Sequence, residues 1–106
     1  MTTTFDKREE GFEKQFAHDE ELRFKAYARR NKMLGLWAAQ LLGKTGADAE
    51  TYAKEVVLAD FEEAGHEDVV RKVVKDLADK GVTEEQVRTM MAELLAQAIE
   101  QIKKSG

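Results

Sequence analysis

The chain has 106 residues, no cysteine and no proline, and it sets 17 lysines and arginines against 21 aspartates and glutamates for a formal net charge of −4. That length suits one domain, and the lack of cysteine excludes disulfides, zinc–thiolate sites and thiol catalysis. Proline breaks helix interiors, so its absence suggests long helices with few rigid turns; with the punctuation and apolar spacing set out below, the chain reads as all-α, a four-helix bundle with a mobile N-terminal helical arm.

Residues 1–19 form that arm. Phe5, Phe12 and Phe16 are its only large apolar residues, and spacings of seven and four put them on one side of a helix. Thr3 or Thr4 offers a cap, whereas Gly11 inside the run costs helix about 1 kcal/mol relative to alanine. A free helix of this length is marginal in water. The arm is therefore predicted to be disordered or weakly docked when free, and helical where its phenylalanine stripe meets a partner's groove. The alternative is that the three rings extend the bundle core. His18 stands at the hinge between arm and bundle and is a candidate pH-sensitive residue, since histidine titrates near neutrality; an ordinary exposed histidine is the other reading.

The bundle, residues 20–106, begins with a helix over about 20–42, where Tyr27, Leu34, Trp37, Ala38, Leu41 and Leu42 make a dense apolar region. Gly43 and Gly46 close it, because glycine adopts the left-handed conformation that ends helices. Residues 23–47 carry six basic side chains and no acidic ones. Within them Arg29, Arg30 and Lys32 are candidate phosphate or nucleotide contacts. The next block, 48–68, carries eight acidic side chains and one basic; packed nearby it would cancel that field, so no nucleic-acid partner is predicted.

The second helix spans about 48–64, with Asp48 as its expected N-cap and Gly65 as its stop. Its apolar stripe is read as Ala53, Val57, Phe61 and Ala64, widened by Val56 and Leu58. His66 precedes Glu67 and Asp68 at the start of a third helix over about 67–80, and reads as a capping or exposed residue. That helix aligns Val69, Val70, Val73, Val74, Leu77 and Ala78 and stops at Gly81. The fourth, over about 84–103, opens on a capping box of Thr83 and Gln86, with Glu84 and Glu85 at the positive helix end. Val87, Met90, Met91, Leu94, Leu95, Ala98, Ile99 and Ile102 follow at helical steps.

Little in the sequence points to catalysis. The two histidines lack metal-ligand spacing, so no metal and no cofactor are predicted. Ser105 is the only serine, which removes serine-nucleophile chemistry. Gly43-Lys44-Thr45 resembles the end of a P-loop without its upstream glycine or strand. The protein is predicted not to be an enzyme. The N-terminus lacks a secretory pattern, and no run approaches the roughly 20 apolar residues that span a bilayer. A cytoplasmic protein without direct membrane insertion is the expectation.

Two blocks, Phe5-x6-Phe12-x3-Phe16-Ala17-His18-Asp19 and Ala28-Arg29-Arg30-Asn31-Lys32, followed by Leu34-Gly35-Leu36-Trp37 and Val56-Val57-Leu58-Ala59-Asp60-Phe61, resemble the ATP synthase zeta subunit family. These are the F1-ATPase inhibitors of alphaproteobacteria. The resemblance implies an arm that enters a catalytic alpha/beta interface of F1 near the gamma shaft and there blocks rotation in the hydrolysing direction. On this chain it implies Phe5, Phe12 and Phe16 as anchors and Asp6, Lys7, Arg8, Glu9 and Glu13 as polar contacts. The partners implied are the alpha, beta and gamma subunits, with ATP or ADP bound weakly, and peripheral association with the inner membrane through the synthase. Two other readings stay open, a nucleotide-sensing regulator working through Arg29, Arg30 and Lys32, and a purely structural helical interaction protein.

Overall fold

Helix α1 opens where the sequence supplies an acceptor for its first free amides. The Asp19 carboxylate accepts the Leu22 N–H at 3.1 Å, and Glu20 and Glu21 sit in the positive first turn. The computed structural model of the chain describes residues 19–61 and 66–105. Within them run α1 (Glu20–Leu41), α2 (Gly46–Ala59), α3 (Glu67–Asp76), a 3-10 turn (Ala78–Lys80) and α4 (Glu84–Ser105). Residues 1–18 of the expected arm lie outside the described residues, as do Ala64 and the expected helix stop Gly65; Asp19, the last residue of that arm, is the cap of α1. Among the described residues there is no strand, and the all-α bundle expected from the sequence is what forms.

The stop signals act as glycine chemistry requires. Gly43 has φ +78; its N–H donates to the Gln40 carbonyl at 3.1 Å, and the Lys44 N–H donates to the Ala39 carbonyl at 2.9 Å. Those two bonds satisfy carbonyls that the helix end would leave unpaired. At the head of α4 the capping box is reciprocal. The Thr83 N–H donates to Gln86 Oε1 at 2.8 Å, and the Gln86 N–H donates to Thr83 Oγ1 at 3.1 Å.

The boundaries of α2 and the end of α3 differ from the sequence reading. Helix α2 stops at Ala59 with Asp60 as its C-cap, short of the expected residue 64. Helix α2 begins at Gly46 with Thr45 as N-cap, so Asp48 is not the cap. It occupies the third helical position, where a carboxylate still favours the positive end of the helix. Helix α3 stops at Asp76, and one 3-10 turn carries the chain to Gly81 at φ +74. A left-handed residue cannot continue an α-helix, and the tightened last turn absorbs the approach to it.

Helix α1 is the hub, packing on α2 along one flank and α4 along the other, while α3 bridges α2 and α4. The rows Ala26–Arg30–Leu34–Ala38 and Asn31–Gly35–Ala39 face inward. Gly35 permits the close crossing with α2, because a Cβ placed there would stand 2.6 Å from the Ala53 Cα. The main core joins Leu34 and Ala38 to Tyr52, Val56, Val69, Val73, Leu77, Val87, Met91 and Leu94. A smaller cluster of Ala26 and Ile99, backed by Leu22, Leu95 and Ile102, closes the end where α1 begins.

The inward face of α2 is a correction. Tyr52, Ala53, Val56 and Ala59 are buried, whereas Leu58 and Phe61 are each 62% exposed. A strict four-residue row gains about 40° per step on a helix of 3.6 residues per turn, and over Ala53–Val57–Phe61 it rotates out of the core. On the exterior, Lys72 ties α3 to α2, with Nζ 3.2 Å from Glu55 and 3.1 Å from Asp76. Tyr52 donates its O–H to Asp76 at 2.7 Å.

Candidate functional site

The cations predicted as phosphate contacts lie on α1, and the helix separates them. Successive residues point about 100° apart, so Arg29 and Arg30 have different destinations. Arg29 is exposed, and its Nη1 donates to Gln101 Oε1 on α4 at 2.9 Å. Lys32, also exposed, stands 3.9 Å from Glu50 on α2. Arg30 is only 4% exposed and turns into the bundle. The structure therefore brings Arg29 and Lys32 to one outer face and places Arg30 elsewhere. The predicted arm residues Phe5, Asp6, Lys7, Arg8, Glu9, Phe12, Glu13 and Phe16, and the hinge residue His18, lie outside the described residues.

Arg30 belongs to a polar cluster that the sequence reading missed. Its Nε donates to Asn31 Oδ1 at 2.9 Å, and its guanidinium carbon lies 5.1 Å from the Tyr27 ring centre, a cation–π contact. Its Nη2 is 3.1 Å from His66 Nδ1. Asn31, 1% exposed, donates from Nδ2 to Asp60 Oδ2 at 2.9 Å. The His66 ring packs on Tyr27 with centres 4.3 Å apart. This cluster ties α1 to the end of α2 and the start of α3. His66 is indeed the N-cap position of α3, but its side chain makes no capping bond; it is a half-buried polar contact at the edge of the bundle.

One atom of the cluster serves two partners of opposite demand. His66 Nδ1 lies 3.1 Å from the Arg30 donor and 3.1 Å from the Asp60 Oδ1 acceptor. A bare Nδ1 accepts from Arg30, while a protonated Nδ1 donates to Asp60, so the two bonds exclude each other. Burial pulls the Arg30 guanidinium below its ordinary value, partly offset by the Asp60 charge; arginine nevertheless stays cationic in proteins. Burial pushes the Asp60 carboxyl up, but hydrogen bonds from His66 and Asn31 and the charges of His66 and Arg30 outweigh it and hold Asp60 below the usual carboxylate range.

The signal for this cluster was present in the spacing. Arg30 stands in the same four-residue row as Ala26, Leu34 and Ala38, and Asn31 in the row of Tyr27, Gly35 and Ala39. A cation and an amide inside apolar rows mark buried, partnered groups.

Beside the cluster the surface opens into two adjoining clefts. One, of about 500 Å³, is bounded by Phe24, Tyr27, Asp60, Phe61 and His66. The other, of about 700 Å³, runs along the outer face of α1 past Lys25, Arg29, Lys32 and Leu36 to Ile102. Both include Phe24, Ala28 and Val57. Phe24 is 57% exposed, and its ring stacks on Phe61 with centres 6.2 Å apart. Among the described residues no group of three or more His, Cys, Asp and Glu side chains comes together as a metal site. No helix there is long and apolar enough to cross a membrane. The chemistry on offer is contact, an aromatic and cationic surface carried on the packed pair α1 and α2.

Comparison with known proteins assigns the chain. A model of the family described as ATPase inhibitor subunit zeta matches residues 1–101, and the chain belongs to that family. A protein solved by solution NMR is 54% identical over 80% of this chain and 99% of its own length, with a TM-score of 0.73. No curated protein matches the chain.

Proposed function

We propose that this member of the ATPase inhibitor subunit zeta family restrains ATP hydrolysis by the F1 part of ATP synthase through its N-terminal arm. In this reading residues 1–19 enter a catalytic alpha/beta interface near the gamma shaft, become helical there and obstruct rotation in the hydrolysing direction. Phe5, Phe12 and Phe16 are the anchors; Asp6, Lys7, Arg8, Glu9 and Glu13 are the polar contacts; residues 20–106 are the docking and support module. The observation that carries the reading is the span of the family match, which takes in the arm as well as the bundle.

Physical chemistry supports the division of labour. The bundle has its own core, with Leu34, Val56, Val69, Val73, Leu77 and Val87 fully buried. The arm offers three large apolar side chains in a polar segment, so its ordering must be supported by a surface outside itself. Truncation is the test. The chain lacking residues 1–19 is expected to keep its helicity and cooperative melting and to lose inhibition of purified F1. Loss of cooperative melting would mean that the arm is core. Inhibition that survives truncation would move the inhibitory surface to the bundle. Saturable amide shifts around Arg29 and Lys32 on titration with ATP or ADP would favour the nucleotide-sensing alternative.

A further inference from the structure

We propose that His66 is a pH-sensitive latch at the start of α3: neutral, it ties α3 to α1 through Arg30, and protonated, it passes that end to Asp60 at the close of α2. The latch lies within the bundle, so its test needs neither the arm nor F1.

Burial decides the neutral form. His66 Nδ1 stands 3.1 Å from Arg30 Nη2 and 3.1 Å from Asp60 Oδ1, and a neutral ring serves one of them according to which nitrogen holds its proton. Arg30 is 4% exposed and takes no part in the wall of the neighbouring cleft, and its Nε–H is already engaged by Asn31. A guanidinium N–H refused by His66 is thus a buried donor without an acceptor, the costlier omission. Asp60 loses less, because its Oδ2 keeps the Asn31 bond at 2.9 Å and the residue borders the cleft, where solvent takes the place of the ring. The neutral ring therefore carries its proton on Nε2 and accepts from Arg30.

Protonation reverses the choice. Histidine is the side chain that changes charge between about pH 5 and 8, and an imidazolium Nδ1 donates but no longer accepts. It then faces a guanidinium of like charge on one side and a carboxylate on the other. Asp60 is an anion throughout that interval: burial raises its carboxyl, but the bonds from His66 and Asn31 and the charges of His66 and Arg30 outweigh burial and hold it below the usual carboxylate range. Arg30 is pinned by Asn31 and by the Tyr27 ring, so the displacement falls on His66, whose side chain makes no capping bond. Its carbonyl accepts the N–H of buried Val70 at 3.2 Å, which passes the movement into the first turn of α3.

The other charges near the ring are engaged elsewhere or stand farther off. Arg23 of α1 lines the same cleft. Glu67 feels the His66 charge but is bound by Arg88 of α4 at 2.7 Å, with Arg71 near it, and Asp68 accepts from the Val69 N–H at 2.8 Å. Glu62 and Glu63 precede the ring in sequence and lie outside the described residues.

The test is an NMR titration of the full-length chain from about pH 8 to about pH 5, following the imidazole nitrogens, the Arg30 Nε–H and the backbone amides. The chain has two histidines, and His18→Gln identifies which ring signals belong to His66. At the alkaline end the His66 proton is expected on Nε2. On acidification the Arg30 Nε–H and the Val69 and Val70 amides should shift with the midpoint of the His66 ring. In His66→Gln those shifts should vanish while circular dichroism shows the helices intact. A proton on Nδ1 at the alkaline end would overturn the latch, because the ring would then serve Asp60 at every pH. So would a ring that keeps one charge across the range, Arg30 and α3 signals that stay fixed while the ring titrates, or shifts that persist in His66→Gln. The wild-type titration decides the matter even where the glutamine variant fails to fold.

Discussion

Replacing Gly35 by alanine isolates the contact that sets the spacing of α1 and α2. On helix propensity alone the change should stabilise by about 1 kcal/mol, because glycine is the weakest non-proline helix former. The structure opposes that gain. The new Cβ would stand 2.6 Å from the Ala53 Cα, 3.2 Å from the Ala53 Cβ and 3.3 Å from the Val56 Cβ. The nearest atom is backbone, so relief requires the helices to separate rather than a side chain to rotate. Overpacking of a tight interior contact costs typically about 1–3 kcal/mol, and at a backbone contact we place Gly35→Ala in the upper half of that range. The net expectation is a destabilisation of about 1–2 kcal/mol, or roughly 4–16 °C in melting temperature for a domain of this size. Thermal and urea unfolding followed by circular dichroism read it directly. Adding Ala53→Gly removes the 3.2 Å contact but leaves the 2.6 Å one, so rescue should be partial. A Gly35→Ala protein as stable as wild type would refute the reasoning and show that the two backbones separate freely.

Further predictions concern the polar cluster, the cap and the arm. Asp60 has a folded pKa below its unfolded value of about 3.9. Its stabilisation is therefore complete above about pH 5 and lost as pH falls through the folded value; Asp60→Asn should flatten the acid limb of the urea midpoint against pH, and identical limbs would refute this. Thr83→Ala removes the acceptor for the Gln86 N–H and should cost about 1 kcal/mol in urea unfolding, with no change in the inhibition of F1. Gly11→Ala should strengthen inhibition of purified F1 by up to about 1 kcal/mol, by favouring the helical arm; weaker or unchanged inhibition would contradict a helical bound state.

The sequence made the helices legible because their ends are local chemistry. Gly43 and the Thr83–Gln86 box stop and start helices through bonds between near neighbours, which the structure shows, and Gly81 does so through its left-handed backbone. Faces were harder to read. Val57, Leu58 and Phe61 looked like the core of α2 because large apolar residues dominate a four-residue row. The buried face instead follows Tyr52, Ala53 and Val56, where small residues let α1 approach. The cluster was hidden for a different reason. Arg30 reads as one of six basic residues in a block, and only its place between Ala26 and Leu34 in the inward row shows its burial. Its partners Asp60 and His66 come from about 30 residues away across two helix ends, a separation that no local pattern encodes. The Asp48 reading failed by three residues, because the cap is Thr45 and the left-handed Gly46 already starts the helix.

The central claim is that the arm inhibits and the bundle supports it. Its most direct measurement is ATP hydrolysis by F1 purified from the same cells, with the full-length chain and with the chain lacking residues 1–19 added in turn. The account predicts that hydrolysis falls with the full-length protein and is untouched by the truncated one, with both proteins melting cooperatively. Equal inhibition by the two would contradict it, and so would no inhibition by either.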